Sequence, residues 1–132
     1  MPRTTHWSLV AVVLASAALL TTGCGFVGSP EQKVSETTDN YLRSLAAGEH
    51  DTACGQLTVG AKSRLAEPCL AAMEAIAARL GSDALTAAAD AGIEMAVEGG
   101  RATVVIPELG GARLTLLRNG PEWRIDAGYA LR

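Results

Sequence analysis

From Ile93 onward, apolar and polar residues alternate with a period of two, which is typical of β-strands buried on one face. Four such runs are separated by Gly99-Gly100, by residues 107–111 and by Asn119-Gly120. Asn-Gly is the favoured dipeptide of a two-residue type I′ turn, so the last separator predicts one. The residues expected to face the core are Ile93/Met95/Val97, Ala102/Val104/Ile106, Ala112/Leu114/Leu116 and Trp123/Ile125/Ala127. This pattern predicts a four-stranded antiparallel meander.

The preceding half of the chain follows the period of a helix instead. A first helix is predicted to begin after Ser29, a good N-cap, with Pro30 in the first position and Gln32 completing a capping-box pattern. It should end at Gly48, since glycine suits the left-handed position after a helix. One stripe of this helix is expected to face a core: Val34, Thr38, Tyr41, Leu42 and Leu45.

Shorter helical segments are predicted after this first helix. One contains Cys54, a second is capped by Thr58, and a third begins after Pro68 and ends at Gly81. The apolar stripe of the third segment is Cys69, Met73, Ile76 and Leu80. Residues 82–90 are alanine-rich and predicted to be partly helical. A helical half followed by a meander defines the α+β class.

The first residues have the anatomy of an export signal. Arg3 provides the positive charge that precedes an apolar run at residues 9–20. A membrane-spanning helix needs roughly 20 apolar residues, so a run of 12 predicts no permanent anchor. The sequence Leu-Leu-Thr-Thr-Gly-Cys at 19–24 resembles the lipobox of bacterial lipoproteins, in which the cysteine is acylated and becomes the mature N-terminus. Thr21 stands where that pattern usually has a large aliphatic residue.

Two other interpretations of Cys24 stay open. An ordinary signal peptide cut near residues 15–17 would leave Cys24 as a spare thiol on a secreted protein, and an uncleaved leader would act as an anchor. With acylation, the chain divides into a signal peptide at 1–23, a tether at 24–29 and one domain at 30–132. Lipid on Cys24 would then hold the domain on the extracytoplasmic face of the cell membrane.

The charge of the mature chain argues against two kinds of partner. Residues 1–23 contain one charged side chain, Arg3, so the mature chain has ten basic against fourteen acidic residues. A mildly acidic domain with scattered arginines lacks the basic patch that nucleic acids require, so no nucleic-acid partner is expected. Anionic headgroups should also repel it, so the predicted membrane partner is reached through lipid on Cys24 rather than through charge.

The remaining cysteines predict a disulfide. If Cys24 is acylated, Cys54 and Cys69 are left as an even pair in an exported domain. The alternative is a pair of buried free thiols. No histidine or further cysteine stands at ligand spacing from this pair, so no metal site is expected.

Two stretches resemble the nuclear transport factor 2-like superfamily, which has a cone-shaped α+β fold. Residues 41–54, Tyr-Leu-Arg-Ser-Leu-Ala-Ala-Gly-Glu-His-Asp-Thr-Ala-Cys, look like the first helix of its small bacterial lipoproteins and the turn after it. Residues 120–126, Gly-Pro-Glu-Trp-Arg-Ile-Asp, look like the closing strand. The resemblance implies N-terminal helices packed on a curved meander, and it speaks to fold more than to function.

Enzymes on this fold place an ionisable side chain inside the cone, and the chain can be tested against that requirement. None of the residues predicted to face inward is ionisable, while Glu94, Glu98 and Asp126 fall on the solvent face unless a bulge shifts them. His50 lies between two acidic residues past the first helix, as a general base would or as an exposed loop histidine. We therefore expect no catalytic residues and no cofactor.

The aromatic residues Tyr41, Trp123 and Tyr129 are candidates to line a cavity, although packing in the core is the alternative. The sequence therefore predicts a non-catalytic, membrane-anchored lipoprotein with a binding or accessory role at the cell envelope. Its partner would be an apolar ligand or an envelope protein. Two alternatives are an enzyme of the dehydratase, isomerase or hydrolase type and a structural or regulatory envelope protein.

Overall fold

The computed structural model describes residues 28–132, so Cys24, the predicted signal peptide and most of the predicted tether lie outside it. The described chain has a helical half followed by an antiparallel sheet, which confirms the α+β class. The helices are α1 (Pro30–Ala47), α2 (His50–Gly55), α3 (Val59–Ser63), α4 (Cys69–Leu80) and α5 (Ser82–Ala91). The strands are β1 (Glu94–Glu98), β2 (Arg101–Ile106), β3 (Ala112–Asn119) and β4 (Glu122–Ala127).

Helix α1 begins and ends where the sequence predicts. The Ser29 hydroxyl accepts a hydrogen bond from the main-chain N–H of Gln32 at 3.1 Å, which satisfies one free donor of the first turn. The side-chain nitrogen of Gln32 donates to the Glu36 carboxylate at 3.4 Å, one turn further along the helix. At the other end, Gly48 adopts a φ of 75° and its N–H donates to Leu45 and Ser44.

The four strands form one sheet in the order β1-β2-β3-β4. The turn between β3 and β4 differs from the prediction, because Asn119 pairs with Glu122 and the two loop residues are Gly120 and Pro121. Type I′ geometry needs a positive φ at both loop positions, and the proline ring fixes φ near −65°. Gly120, with a φ of 61°, supplies the positive value at the first position.

Strand β4 contains a bulge that turns the side chain of its last residue, Ala127, to the opposite face of the sheet. Thr115 pairs with Ala127 and Leu116 pairs with Ile125, so Asp126 is an extra residue in the register. Side chains alternate strictly along a strand, and one extra residue therefore moves the next side chain to the other face. The prediction that Ala127 faces the core is wrong for this reason, because Ala127 is exposed.

The core lies between the helices and the inner face of the sheet. Helix α1 contacts α2, α4, α5, β1 and β4, and its predicted stripe is buried throughout. The β4 edge is covered by the chain before α3, where the Thr58 N–H donates to Ile125 and the Ile125 N–H donates to Gln56. None of the helices within residues 28–132 is both long and apolar enough to cross a bilayer.

Candidate functional site

A cleft of about 270 Å³ opens where α1, the end of α5 and β1 meet. We call it the α1–β1 cleft. Its lining has an apolar floor and a polar margin contributed mainly by α1. The eight lining residues are Ser35, Thr38, Asp39, Leu42, Ala89, Gly92, Ile93 and Met95.

The floor of the cleft is formed by apolar side chains from two elements. Leu42 of α1 is fully buried, and Ile93 and Met95 are half-buried against the core. Gly92 has a φ of 88°, which only glycine adopts readily, and it turns the chain from α5 into β1. The alternation of β1 then places Met95 on the cleft side and Ala96 on the exposed outer face.

Asp39 lines the cleft and is connected through Arg43 to Asp90, and we call these three charged side chains the rim. The Arg43 Nε donates to both carboxylate oxygens of Asp39, at 3.0 and 3.1 Å, one helical turn away. The Arg43 Nη2 donates to Asp90 Oδ1 at 2.9 Å and so links α1 to the last turn of α5. These carboxylates, Asp90 first, raise the pKa of Arg43. Two acidic groups and one basic group leave the rim with an excess negative charge.

Asp126, one of the carboxylates predicted on the solvent face of the sheet, is held by polar groups on that surface. Its Oδ1 accepts a hydrogen bond from the Thr58 hydroxyl at 2.8 Å and lies 3.3 Å from Arg64 Nη2. The Thr58 hydrogen bond, followed by Arg64, lowers the pKa of Asp126 below its usual value. A carboxyl group with a lowered pKa stays ionised at neutral pH, which does not suit a general acid.

His50, the candidate general base, is the first residue of α2 and is half-buried. Glu49 precedes the helix as its N-cap residue without a side-chain hydrogen bond to it, and Asp51 is exposed. Within residues 28–132, the structure records no hydrogen bond that would orient the imidazole of His50. The arrangement of a poised acid–base pair is therefore not formed around this histidine.

The three aromatic candidates occupy different places. Tyr41 is fully buried in α1 and its hydroxyl donates to the main-chain oxygen of Tyr129 at 2.6 Å. Tyr129 borders a depression of about 270 Å³ beside α4, together with Ile76 and Arg79. Trp123 is buried to 3% exposure and borders a separate depression of about 210 Å³ beside α1. The structure therefore brings Tyr41 and Tyr129 together and sets Trp123 apart from them.

The structure joins Cys54 and Cys69 in a disulfide, which connects α2 to the first residue of α4. Their Cα atoms are 6.1 Å apart, which lies within the usual range for disulfides. Cys54 is buried and Cys69 is half-buried. The bridge packs beside α2 and α4 and is not part of the α1–β1 cleft.

Among residues 28–132, no group of three histidine, cysteine or acidic side chains is placed to hold a metal ion. No family model, no curated protein and no solved structure matches the chain. The site must therefore be interpreted from its own geometry.

Sequence reasoning missed the cleft as a unit, although it placed most of its residues correctly. The sequence pattern predicts that Thr38, Leu42, Ile93 and Met95 face the core. The available signal was the Asp39–Arg43 spacing of four residues, which predicts a surface ion pair on a helix. The position of Asp90 against that pair depends on how α5 packs on α1, and no local pattern gives it.

Proposed function

We propose that this protein is a non-catalytic binding protein tethered to the extracytoplasmic face of the membrane by lipid on Cys24, with a cone-shaped, nuclear transport factor 2-like domain. The α1–β1 cleft is its binding site, and a small apolar group is its ligand. The observation that carries the proposal is the apolar floor of the cleft, where the half-buried side chains of Ile93 and Met95 remain partly open to solvent beside the buried Leu42. Burial of exposed apolar area contributes about 25 cal/mol per Å², so such a floor favours an apolar occupant.

The residues that an enzyme on this fold would use support the binding interpretation over the catalytic one. The inner face of the sheet presents apolar side chains, among them Val104, Leu114 and Ile125, to the core. Asp126 stays ionised beside Thr58, and no hydrogen-bond partner within residues 28–132 is positioned to activate His50. Within the described chain, a cleft that excludes water from an ionisable group is therefore not formed around either candidate.

Binding in the cleft can be tested with 1-octanol as a small neutral probe, followed by the NMR shifts of the Gly92 and Met95 amides. We expect these amides to shift on titration. Met95→Lys should abolish the response, because it puts a charge on the apolar floor. Ala96→Lys is the matched control on the same strand, since Ala96 is exposed on the opposite face, and it should leave binding unchanged. Absence of any shift in the cleft of the unaltered protein would contradict this binding site.

The tether can be tested independently in a bacterial host that lipidates exported proteins. Cys24→Ser should release the protein from the membrane fraction and stop incorporation of a labelled palmitate analogue. The double variant Cys54→Ser/Cys69→Ser is the matched control, because it removes the other thiols and leaves Cys24 in place. Retention of Cys24→Ser in the membrane fraction would show that lipid on Cys24 is not the anchor.

A further inference from the structure

The charges around the α1–β1 cleft are unbalanced on the negative side. Asp39 is the one charged residue among the eight that line the cleft. Arg43 is shared between Asp39 and Asp90, so one cation faces two carboxylates. All three side chains remain accessible to a ligand in solution, with exposures of 42% for Asp39, 48% for Arg43 and 64% for Asp90.

The end of α5 adds partial negative charge at the same place. In the other four described helices, the N–H of the capping residue donates back to a carbonyl of the last turn. The α5 cap, Gly92, has a φ of 88° and a ψ of 178°, and within residues 28–132 no such bond is recorded for it. Carbonyl groups at a helix C-terminus carry the negative end of the helix dipole. Ala89 and Gly92 belong to this end and line the cleft.

The volume of the cleft limits the size of the apolar part. About 270 Å³ is slightly below the range of roughly 300–1,000 Å³ that drug-sized ligands occupy. A short alkyl chain or a single ring fits this space. A charged end attached to that body would lie beside Asp39 and the last residues of α5, which line the cleft, and Arg43 connects Asp39 to Asp90.

We propose that the α1–β1 cleft selects ligands that carry a positively charged amine on a short apolar body. The apolar part lies on Leu42, Ile93 and Met95, and the ammonium group lies at the acidic rim, where it donates hydrogen bonds to carboxylate and carbonyl oxygens. This inference rests on the proposed binding function of the cleft and adds to it the charge of the ligand.

Three probes with the same chain and different ends test the inference: octylammonium, 1-octanol and octanoate. Each is titrated into the protein at low salt and followed by the NMR shifts of the Gly92 and Met95 amides. We expect octylammonium to bind about three- to fivefold more tightly than 1-octanol, because exposed charge pairs contribute only a modest attraction. Octanoate should bind more weakly than 1-octanol. The difference between octylammonium and 1-octanol should shrink at high salt.

Substitutions at the rim should change the relative affinities of the three probes in a defined direction. Asp39→Asn/Asp90→Asn leaves Arg43 alone at the rim and should reverse the preference toward octanoate. Arg43→Gln should strengthen the preference for octylammonium. The matched control is Glu49→Gln/Asp51→Asn, which removes the same charge. Neither Glu49 nor Asp51 lines the cleft, and the two double variants are compared at physiological salt, where screening reduces charge effects beyond about 8 Å.

The outcomes separate this inference from the proposed function. Equal binding of octylammonium and 1-octanol in the cleft would overturn the charge selection while leaving an apolar binding site in place. Failure of all three probes to shift the cleft amides would overturn both. The ranking in the unaltered protein decides the question even if a rim variant does not fold.

Discussion

The hydroxyl group of Tyr41 donates a hydrogen bond of 2.6 Å to the main-chain carbonyl of Tyr129, which comes 88 residues later. Tyr41 is fully buried, so this contact connects the interior face of α1 to the segment after β4. Leu131, two residues further, is buried and holds a φ of 58°, which is uncommon for a residue with a side chain. The contacts of Tyr129 and Leu131 therefore hold residues 128–132 against the core.

Tyr41→Phe should reduce the free energy of unfolding by about 1–3 kcal/mol, because it leaves the Tyr129 carbonyl without its donor in a partly buried position. Tyr129→Phe is the matched control, since it removes a hydroxyl and keeps the carbonyl that accepts the bond. That variant should stay within about 0.5 kcal/mol of the unaltered protein. Urea denaturation of the three proteins measures the difference. Equal effects of the two substitutions would contradict the role of this bond.

Stability should fall in alkaline solution because of Tyr41. Burial, and then the nearby Tyr129, raise the pKa of Tyr41 above its usual value of 10. The folded state therefore keeps the proton after the unfolded state has lost it. The stabilisation is complete below pH 10 and is lost above it, by up to about 1.4 kcal/mol for each pH unit. Tyr41→Phe should lack this extra slope and Tyr129→Phe should retain it, as measured by urea denaturation between pH 9 and pH 11.

Thr58 should affect both the start of α3 and the ionisation of Asp126. Its hydroxyl accepts from the Ala61 N–H at 2.9 Å and donates to Asp126. Thr58→Ala should lower stability by about 1 kcal/mol through loss of the cap. It should also move the pKa of Asp126 upward toward 3.8, because the hydrogen bond that lowers it is gone.

The sign of the Asp126 effect follows from its lowered pKa. The carboxylate stabilises the fold above about pH 4, the ordinary value, and this stabilisation is lost as the pH falls through the lowered value. Thr58→Ser keeps the hydroxyl and should preserve both properties. A carboxyl NMR titration that finds the same Asp126 pKa in Thr58→Ala and Thr58→Ser would contradict this assignment.

Gly128→Ala should be among the most damaging small substitutions in the domain. Gly128 has a φ of 79°, and a Cβ there would clash with the main-chain oxygen of Arg113. A loss of about 3 kcal/mol or more is expected, since neighbouring backbone has to move. Gly99→Ala is the control, because Gly99 has a φ of 58° and open space around it, so only about 1–2 kcal/mol of backbone strain applies. Thermal denaturation compares the two variants.

The disulfide should stabilise the helical half because it lowers the conformational entropy of the unfolded chain. Cys54 and Cys69 are 15 positions apart, and closing a loop of that length contributes about 3 kcal/mol in the chain-entropy model. The double variant Cys54→Ala/Cys69→Ala should have a free energy of unfolding that is lower by this amount. A reducing agent should not change the stability of this variant further. Mass spectrometry of the unaltered domain without reductant should find no free thiol at either position. Two free thiols there would refute the bridge.

The sequence predicted the elements of this fold well, because their signals are local. Ser29 and Gly48 mark the ends of α1 through hydrogen bonds to residues within one turn. The alternation of apolar and polar residues predicts the strands and which side chains face the core, because successive side chains of a strand point to opposite faces. The sequence also predicted the pairing of Cys54 with Cys69, because acylation of Cys24 would leave only these two cysteines.

The departures arise from contacts that alternation does not encode. The Asp126 bulge depends on Thr58 and Arg64, which lie more than sixty positions earlier and hold the extra residue in place. Pro121 excluded type I′ geometry in a turn for which Asn119-Gly120 was a strong local signal. The cleft likewise required Asp39 and Asp90 to meet through the packing of α5 on α1, which a one-dimensional pattern does not contain.

The two edges of the sheet differ in a way that bears on self-association. Residues 56–58 cover β4, whereas β1 pairs with β2 alone within the sheet and carries Glu94 and Glu98 on either side of Ala96. A second molecule that added itself antiparallel around Ala96 would bring Glu94 of each copy against Glu98 of the other. Like charges directly opposite each other destabilise such pairing. Molecules concentrated on one surface would therefore resist growing into a continuous sheet, and each domain would keep its cleft accessible.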